Sequence, residues 1–232
     1  QDAHAQLLTC QKTLDEAAIL KKEMIQPALT ELKYISEAEQ LIRVIDQCGI
    51  APLVRLTSNA DSQIKRVMDS GAHGIIVPMV NSPEDALTAI NSAYYFPKGR
   101  RSFGLARAQG YGRTFKKYLN WSRENTVIIV QIEHIDSLKN LEEIFSIEEV
   151  DAYIIGPYDL SGSMGIPGDF QDREFINTIK EINRIATKTQ TPSGIHIVEP
   201  NPKLLKQAIK DNYNFIAYSV DIRMLDVTAR IG

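Results

Sequence analysis

Two carboxylates stand where a buried apolar run gives way to polar sequence. Glu133 follows Val127-Ile128-Ile129-Val130-Gln131-Ile132, and Asp159 follows Tyr153-Ile154-Ile155-Gly156-Pro157-Tyr158. If these runs are adjacent parallel strands, about 4.8 Å apart, both acids can reach one hard cation. Two oxygen ligands that leave positions open to water and a small molecule suit Mg²⁺ or Mn²⁺, with Co²⁺ a further option. A closed Zn²⁺ site would need Cys and His at ligand spacing, and the sequence has none. The competing use of both acids is to cap the helices that follow, as many strand-to-helix turns do.

Two further residues end apolar runs with groups that could react. Arg55 closes Pro52-Leu53-Val54, where an unpaired buried cation would be costly and an anion is required. That anion is either a carboxylate or enolate oxygen of a substrate, which a guanidinium fork fits, or a neighbouring acid in a structural ion pair. His196, in Gly194-Ile195-His196-Ile197-Val198, is a base near neutral pH or else a satisfied core histidine. Pro78, Glu199, Ser219 and Asp221 also fall at run ends. His134 reads as a helix-entry residue, His73 precedes its run, and His4 lies in the leader. Cys10 and Cys48 are far apart and read as structural or incidental rather than as a disulfide.

These residues need a frame that gathers strand ends. From residue 50 the sequence repeats a Val/Ile-rich run, a polar turn and an amphipathic stretch of helical period. The runs are Ala51–Leu56, Gly74–Val80, Thr126–Glu133, Ala152–Gly156, Ser193–Val198 and Phe215–Val220. They are apolar at nearly every position, as strands covered on both faces of a parallel sheet must be. Helix starts follow: Ser82 before Pro83 with Glu84 and Asp85, Asn201 before Pro202, and stretches at Asp61–Ser70 and Ser137–Phe145. Six such units predict an α/β fold of the (βα)8 TIM-barrel type, with an open doubly wound sheet as the alternative. Residues 5–33 are polar and helical in period, so the first one or two βα units are atypical or missing. Residues 1–35 are taken as a helical leader and 36–232 as the barrel. The connection Tyr95–Asn125 is long for a βα loop, and its Arg and Gly content suggests an anion-binding loop, with a surface insertion or oligomer contact as the other reading.

Composition excludes some partners. With 232 residues, 44% hydrophobic, and a net charge of −3 from mixed charges, the chain can bury one core but carries no basic stripe for nucleic acid. No run approaches a membrane span, and the start lacks the pattern of a signal peptide, so a cytoplasmic location is expected.

Taken in order, Val54-Arg55, Gly71-Ala72-His73-Gly74-Ile75-Ile76-Val77-Pro78-Met79, Gln131-Ile132-Glu133 and Gly156-Pro157-Tyr158-Asp159-Leu160-Ser161 with Met164-Gly165 resemble the HpcH/HpaI aldolase family over residues 36–228. The resemblance implies a barrel of the phosphoenolpyruvate/pyruvate superfamily that cleaves a 4-hydroxy-2-oxo acid to pyruvate, or a related 2-oxo acid, and an aldehyde with a divalent metal. An oxaloacetate-type decarboxylase and an inactive scaffold are the alternatives. It further implies Glu133 and Asp159 as metal ligands, and Arg55 as the arginine beside the enolate. Gln131, Gly156, Pro157 and Tyr158 would line the 2-oxo acid, and a homo-oligomer is implied. The family's Asp-Xaa-Glu-His stretch has no counterpart: the corresponding place reads Leu29-Thr30-Glu31-Leu32-Lys33. His196 or Glu31 is the candidate replacement for its His.

Overall fold

The computed structural model describes residues 26–231, with side chains from 36 onward; the rest of the leader, with His4, Cys10 and the side chain of Glu31, lies outside the described residues. Chain contacts separate two units, residues 1–50 and 51–232. In the first, one helix runs Gln26–Gln47, α1. It covers the place where the family motif would have ended a strand. Gly49, at φ 74°, follows it in the left-handed region that glycine enters at no steric cost.

The second unit is built from parallel strands and helices. Its order is β1 (Leu53–Arg55), α2 (Asp61–Asp69), β2 (Gly74–Val77), α3 (Pro83–Ala93), α4 (Phe115–Asn125), β3 (Val127–Ile132), α5 (Leu141–Phe145), β4 (Ala152–Ile155), α6 (Pro157–Ser163), α7 (Arg173–Thr189), β5 (Ser193–Ile197), α8 (Pro202–Lys210), β6 (Phe215–Tyr218) and α9 (Asp221–Ala229). All six expected strands are present, paired in sequence order β1 to β6 and parallel throughout. Each is shorter than its apolar run because the run continues into the turn that carries the strand-end residue. Among the described residues β1 and β6 remain the two edges of this sheet.

Side chains alternate across the strands, so each face has its own population. Ile129, Ala152 and Ile154 cluster on one face with Leu53, Ile76, Val127, Phe215 and Ala217. The other face carries Ile75, Val77, Ile128, Val130, Ile132, Tyr153 and Ile155, all buried. Double coverage explains why the runs lacked alternation. Helix starts follow the sequence signals: Ser82 and Asp85 form a reciprocal capping box at α3, and Asn201 accepts from the Lys203 amide at α8.

Two arginines of the 95–125 connection are used within the fold rather than held for a solute anion. Its last third is α4, and Arg101 is fully buried, with its guanidinium 4.4 Å from the Tyr95 ring centre. Its anion is Asp69, held through Nε at 3.1 Å and Nη2 at 2.6 Å. Arg107 is likewise engaged, donating to the Ser70 carbonyl at 3.0 Å. These arginines fasten the connection to the end of α2. Removing one partner of a buried pair strands the other, so Asp69→Asn is expected to destabilise the protein by about 3 kcal/mol in urea unfolding. A change below about 0.5 kcal/mol would show that the pair is not holding the connection.

Candidate functional site

The strand register decides which side chains can meet. Gln131 pairs with Ile154, and Ile154 with Gly194, while His196 pairs with Ala217. Counting on by two along each strand, Glu133, Gly156 and His196 share one layer at the carboxyl end of the sheet, on the same face as the Ile129 cluster. Arg55, paired with Ile76, stands on that face too. The carboxyl-terminal ends of parallel strands are where this architecture places its sites.

Glu133 is the centre of the group and only 2% exposed. One carboxylate oxygen, Oε1, accepts from the Met79 amide at 2.8 Å and lies 3.9 Å from a guanidinium nitrogen of Arg55. The other, Oε2, accepts from Gln131 Nε2 at 2.6 Å. Gln131 in turn accepts from Arg55 Nε through its own Oε1 at 3.2 Å. Arg55, Gln131 and Glu133 therefore form one chain of hydrogen bonds whose amide orientation is set at both ends.

The close approach depends on Gly156. A Cβ there would stand 2.9 Å from Gln131 Nε2, from Glu133 Cβ and from Glu133 Oε2. Only the bare backbone of glycine leaves room for both side chains to lean across β4.

Burial pushes the Glu133 carboxyl above its ordinary range, and the charge and hydrogen bonding of Asp159 push it further. The Met79 amide and Arg55 oppose this without cancelling it. Asp159 lies in the first turn of α6, yet the cap position is Gly156 and no side chain caps the helix. Glu133 does not cap either: the short 3₁₀ turn beginning at Ile135 is capped by His134 Nδ1, which accepts from the Asp136 amide at 3.2 Å. Neither acid does the capping work that was the alternative for it.

His196 is half-buried, and its imidazole is held below the usual range, first by burial and then by the charge of Arg55. Arg55 differs from expectation. Its side chain is 49% exposed, because β1 is a short edge strand rather than a buried one, so the guanidinium can meet a solute while touching Glu133. Tyr158 turns its ring edge-on to Phe170, centroids 4.9 Å apart. With Pro157 it borders a cleft of about 480 Å³ between α7 and α8, floored by Ile195 and Ile197.

Met79 was not singled out from the sequence for chemistry. Its backbone occupies the left-handed region, φ 53°, which costs a non-glycine residue about 1–2 kcal/mol. The one signal available was Pro78, which breaks the strand pattern just before it.

Two carboxylates side by side, one buried and raised first by that burial and then by the other, form a donor set that fits a divalent cation of the hard, oxygen-preferring kind. Among the described residues no third His, Cys, Asp or Glu joins them in a cluster. Any remaining ligands would be water and substrate oxygens. The class so defined is a barrel-type α/β enzyme fold with an acid pair, an arginine and a glycine-lined strand end.

Comparison with known proteins narrows the class. The profile of the HpcH/HpaI aldolase/citrate lyase family matches residues 29–226, and the chain belongs to that family. It is 32% identical over 193 residues to a hydroxypyruvate/pyruvate aldolase of Rhizorhabdus wittichii, covering 82% of this chain and 75% of the relative. It is 36% identical over 177 residues to a 4-hydroxy-2-oxo-heptane-1,7-dioate aldolase of Klebsiella pneumoniae, covering 75% of this chain but 65% of the relative. Both relatives are named as aldolases, which are carbon–carbon lyases. An HpcH/HpaI family protein of Burkholderia cenocepacia shares the fold with a TM-score of 0.79 at 24% identity, over 85% of this chain and 78% of the other.

A buried acid with a raised pKa binds more protons folded than unfolded, so stability falls as pH rises through that range. Glu133→Gln removes the charge while keeping an acceptor. The metal-free variant is expected to gain of order 1 kcal/mol over wild type at pH 8, the usual size of such a trade-off, and to lose the gain at pH 4. Equal melting curves at pH 8 would contradict the assignment of Glu133 as an incompletely compensated buried charge.

Proposed function

We propose that the chain is a metal-dependent aldolase that cleaves a 4-hydroxy-2-oxo acid to pyruvate, or a related 2-oxo acid, and an aldehyde. In this reading residues 36–232 carry the catalysis. The observation that supports it best is the buried Glu133 beside Asp159, tied through Gln131 to a half-exposed Arg55. The family relatives support the reaction class, and their names point to 2-oxo acid chemistry.

Glu133 and Asp159 would hold Mg²⁺ or Mn²⁺, which when bound supplies positive charge to the oxygens of the 2-oxo acid. Arg55 would meet the oxygen at C2 as negative charge develops on it, a contact worth most when it strengthens during the reaction. The backbone at Gly156 and Pro157 would lie along the carboxylate, with Gln131 holding Arg55 in line. His196, neutral at pH 7 because its pKa is lowered, would take the proton of the 4-hydroxyl. The C3–C4 bond then breaks, its electron pair passes toward the C2 oxygen and the aldehyde leaves. Proton return to C3 completes the 2-oxo acid.

The test is pyruvate release from 4-hydroxy-2-oxo acids with Mn²⁺ and with EDTA, oxaloacetate serving as the competing substrate. Metal-dependent aldehyde formation is the expected result, with Asp159→Asn lowering kcat/KM at least about 100-fold. Decarboxylation of oxaloacetate without any aldol cleavage would replace this reading with a decarboxylase. His196→Gln is expected to cut kcat by about 100-fold or more at unchanged metal affinity. For the wild type, kcat/KM should fall only as the pH drops below about 6.5, the unperturbed His value. A flat profile with full His196→Gln turnover removes His196 from the mechanism.

A further inference from the structure

We infer that Met79 is a positioning residue for the metal site, acting through its backbone N–H rather than its side chain. The inference rests on the proposal that Glu133 is a metal ligand. In an extended strand, consecutive amides point to opposite edges. Here two consecutive amides point to the same neighbour: Met79 N–H donates to Glu133 Oε1 at 2.8 Å, and Val80 N–H to the Gln131 carbonyl at 3.4 Å. The left-handed backbone of Met79, φ 53°, breaks the strand between them and so permits it. The Met79 N–H is thereby aimed at the carboxylate, while the Val80 N–H ties the turn to the β3 backbone.

The side chain is not what holds this conformation. Met79 is 46% exposed, whereas Val77 and Val80 on either side of the turn are buried and anchor it. Glu133, by contrast, is 2% exposed, and besides its interaction with Asp159 its oxygens are held by Gln131 and, at longer range, by Arg55. Without the amide, Oε1 would lose its 2.8 Å hydrogen bond to the backbone, and the carboxylate would be freer to swing from its place beside Asp159. The turn at Met79 also fixes the β3 backbone at Gln131, so it steadies both the acid and the amide side chain that links it to Arg55.

Removing the N–H alone tests this. Replacing Met79 with its α-hydroxy acid analogue converts the amide to an ester and keeps the side chain and chain length. Mn²⁺ affinity measured by calorimetry on the full chain is expected to fall about 10- to 100-fold, the range for lost partners of a metal ligand. The thermal midpoint of the metal-free ester protein reports whether it has folded. Met79→Gly, which keeps the N–H and accepts a positive φ freely, is expected to bind Mn²⁺ within about threefold of wild type. A folded ester protein with wild-type affinity overturns the inference while leaving the metal site standing. A Met79→Gly loss as large as that of the ester also overturns it, because the side chain would then carry the effect. Failure of the wild type to bind Mn²⁺ overturns the metal reading, and this inference with it.

Discussion

A carboxylate removed from water and set beside a second carboxylate is an expensive arrangement, and the rest of the site exists to hold it. Glu133 is ringed by one backbone amide, one side-chain amide and one distant guanidinium. These partners offset part of the desolvation, yet the carboxyl remains raised above its ordinary range. Full neutralisation by a close arginine would remove the need for a further cation. Instead Arg55 stays 3.9 Å away and half-exposed, while Gln131 takes the short contact. The site thus keeps unspent negative charge at its floor and positive charge at its rim.

The sheet makes this possible through register. Glu133, Gly156 and His196 come from three successive strands and share a layer because those strands pair in sequence order. The glycine between the acid and the histidine is the opening: any side chain there would collide with both Gln131 and Glu133. The α2 and α4 side of the molecule shows the opposite economy. Arg101 and Asp69 satisfy each other at short range, and their charges are used for fastening.

Much of the fold was legible in the sequence because a strand buried on both faces has to be apolar at every position. Glu133, Asp159, Arg55 and His196 were legible as polar residues interrupting those runs. What could not be read was pairing at a distance. The partner of Arg101 lies 32 residues away on α2, so its Arg- and Gly-rich surroundings looked like an anion site. Met79 was hidden for another reason: a backbone N–H is the same in nearly every residue, and a methionine gives no sign of a left-handed φ. The exposure of Arg55 was also missed, because a three-residue edge strand and a buried one can have the same apolar letters.

The proposed chemistry depends on Glu133 and Asp159 together holding a cation. Anomalous diffraction from crystals soaked in Mn²⁺ measures this directly. The expected result is one strong peak within about 2.0–2.4 Å of an oxygen from each carboxylate, with the outer positions open to solvent or 2-oxo acid. A saturated soak with no peak between them, or with metal bound only elsewhere on the chain, would contradict it.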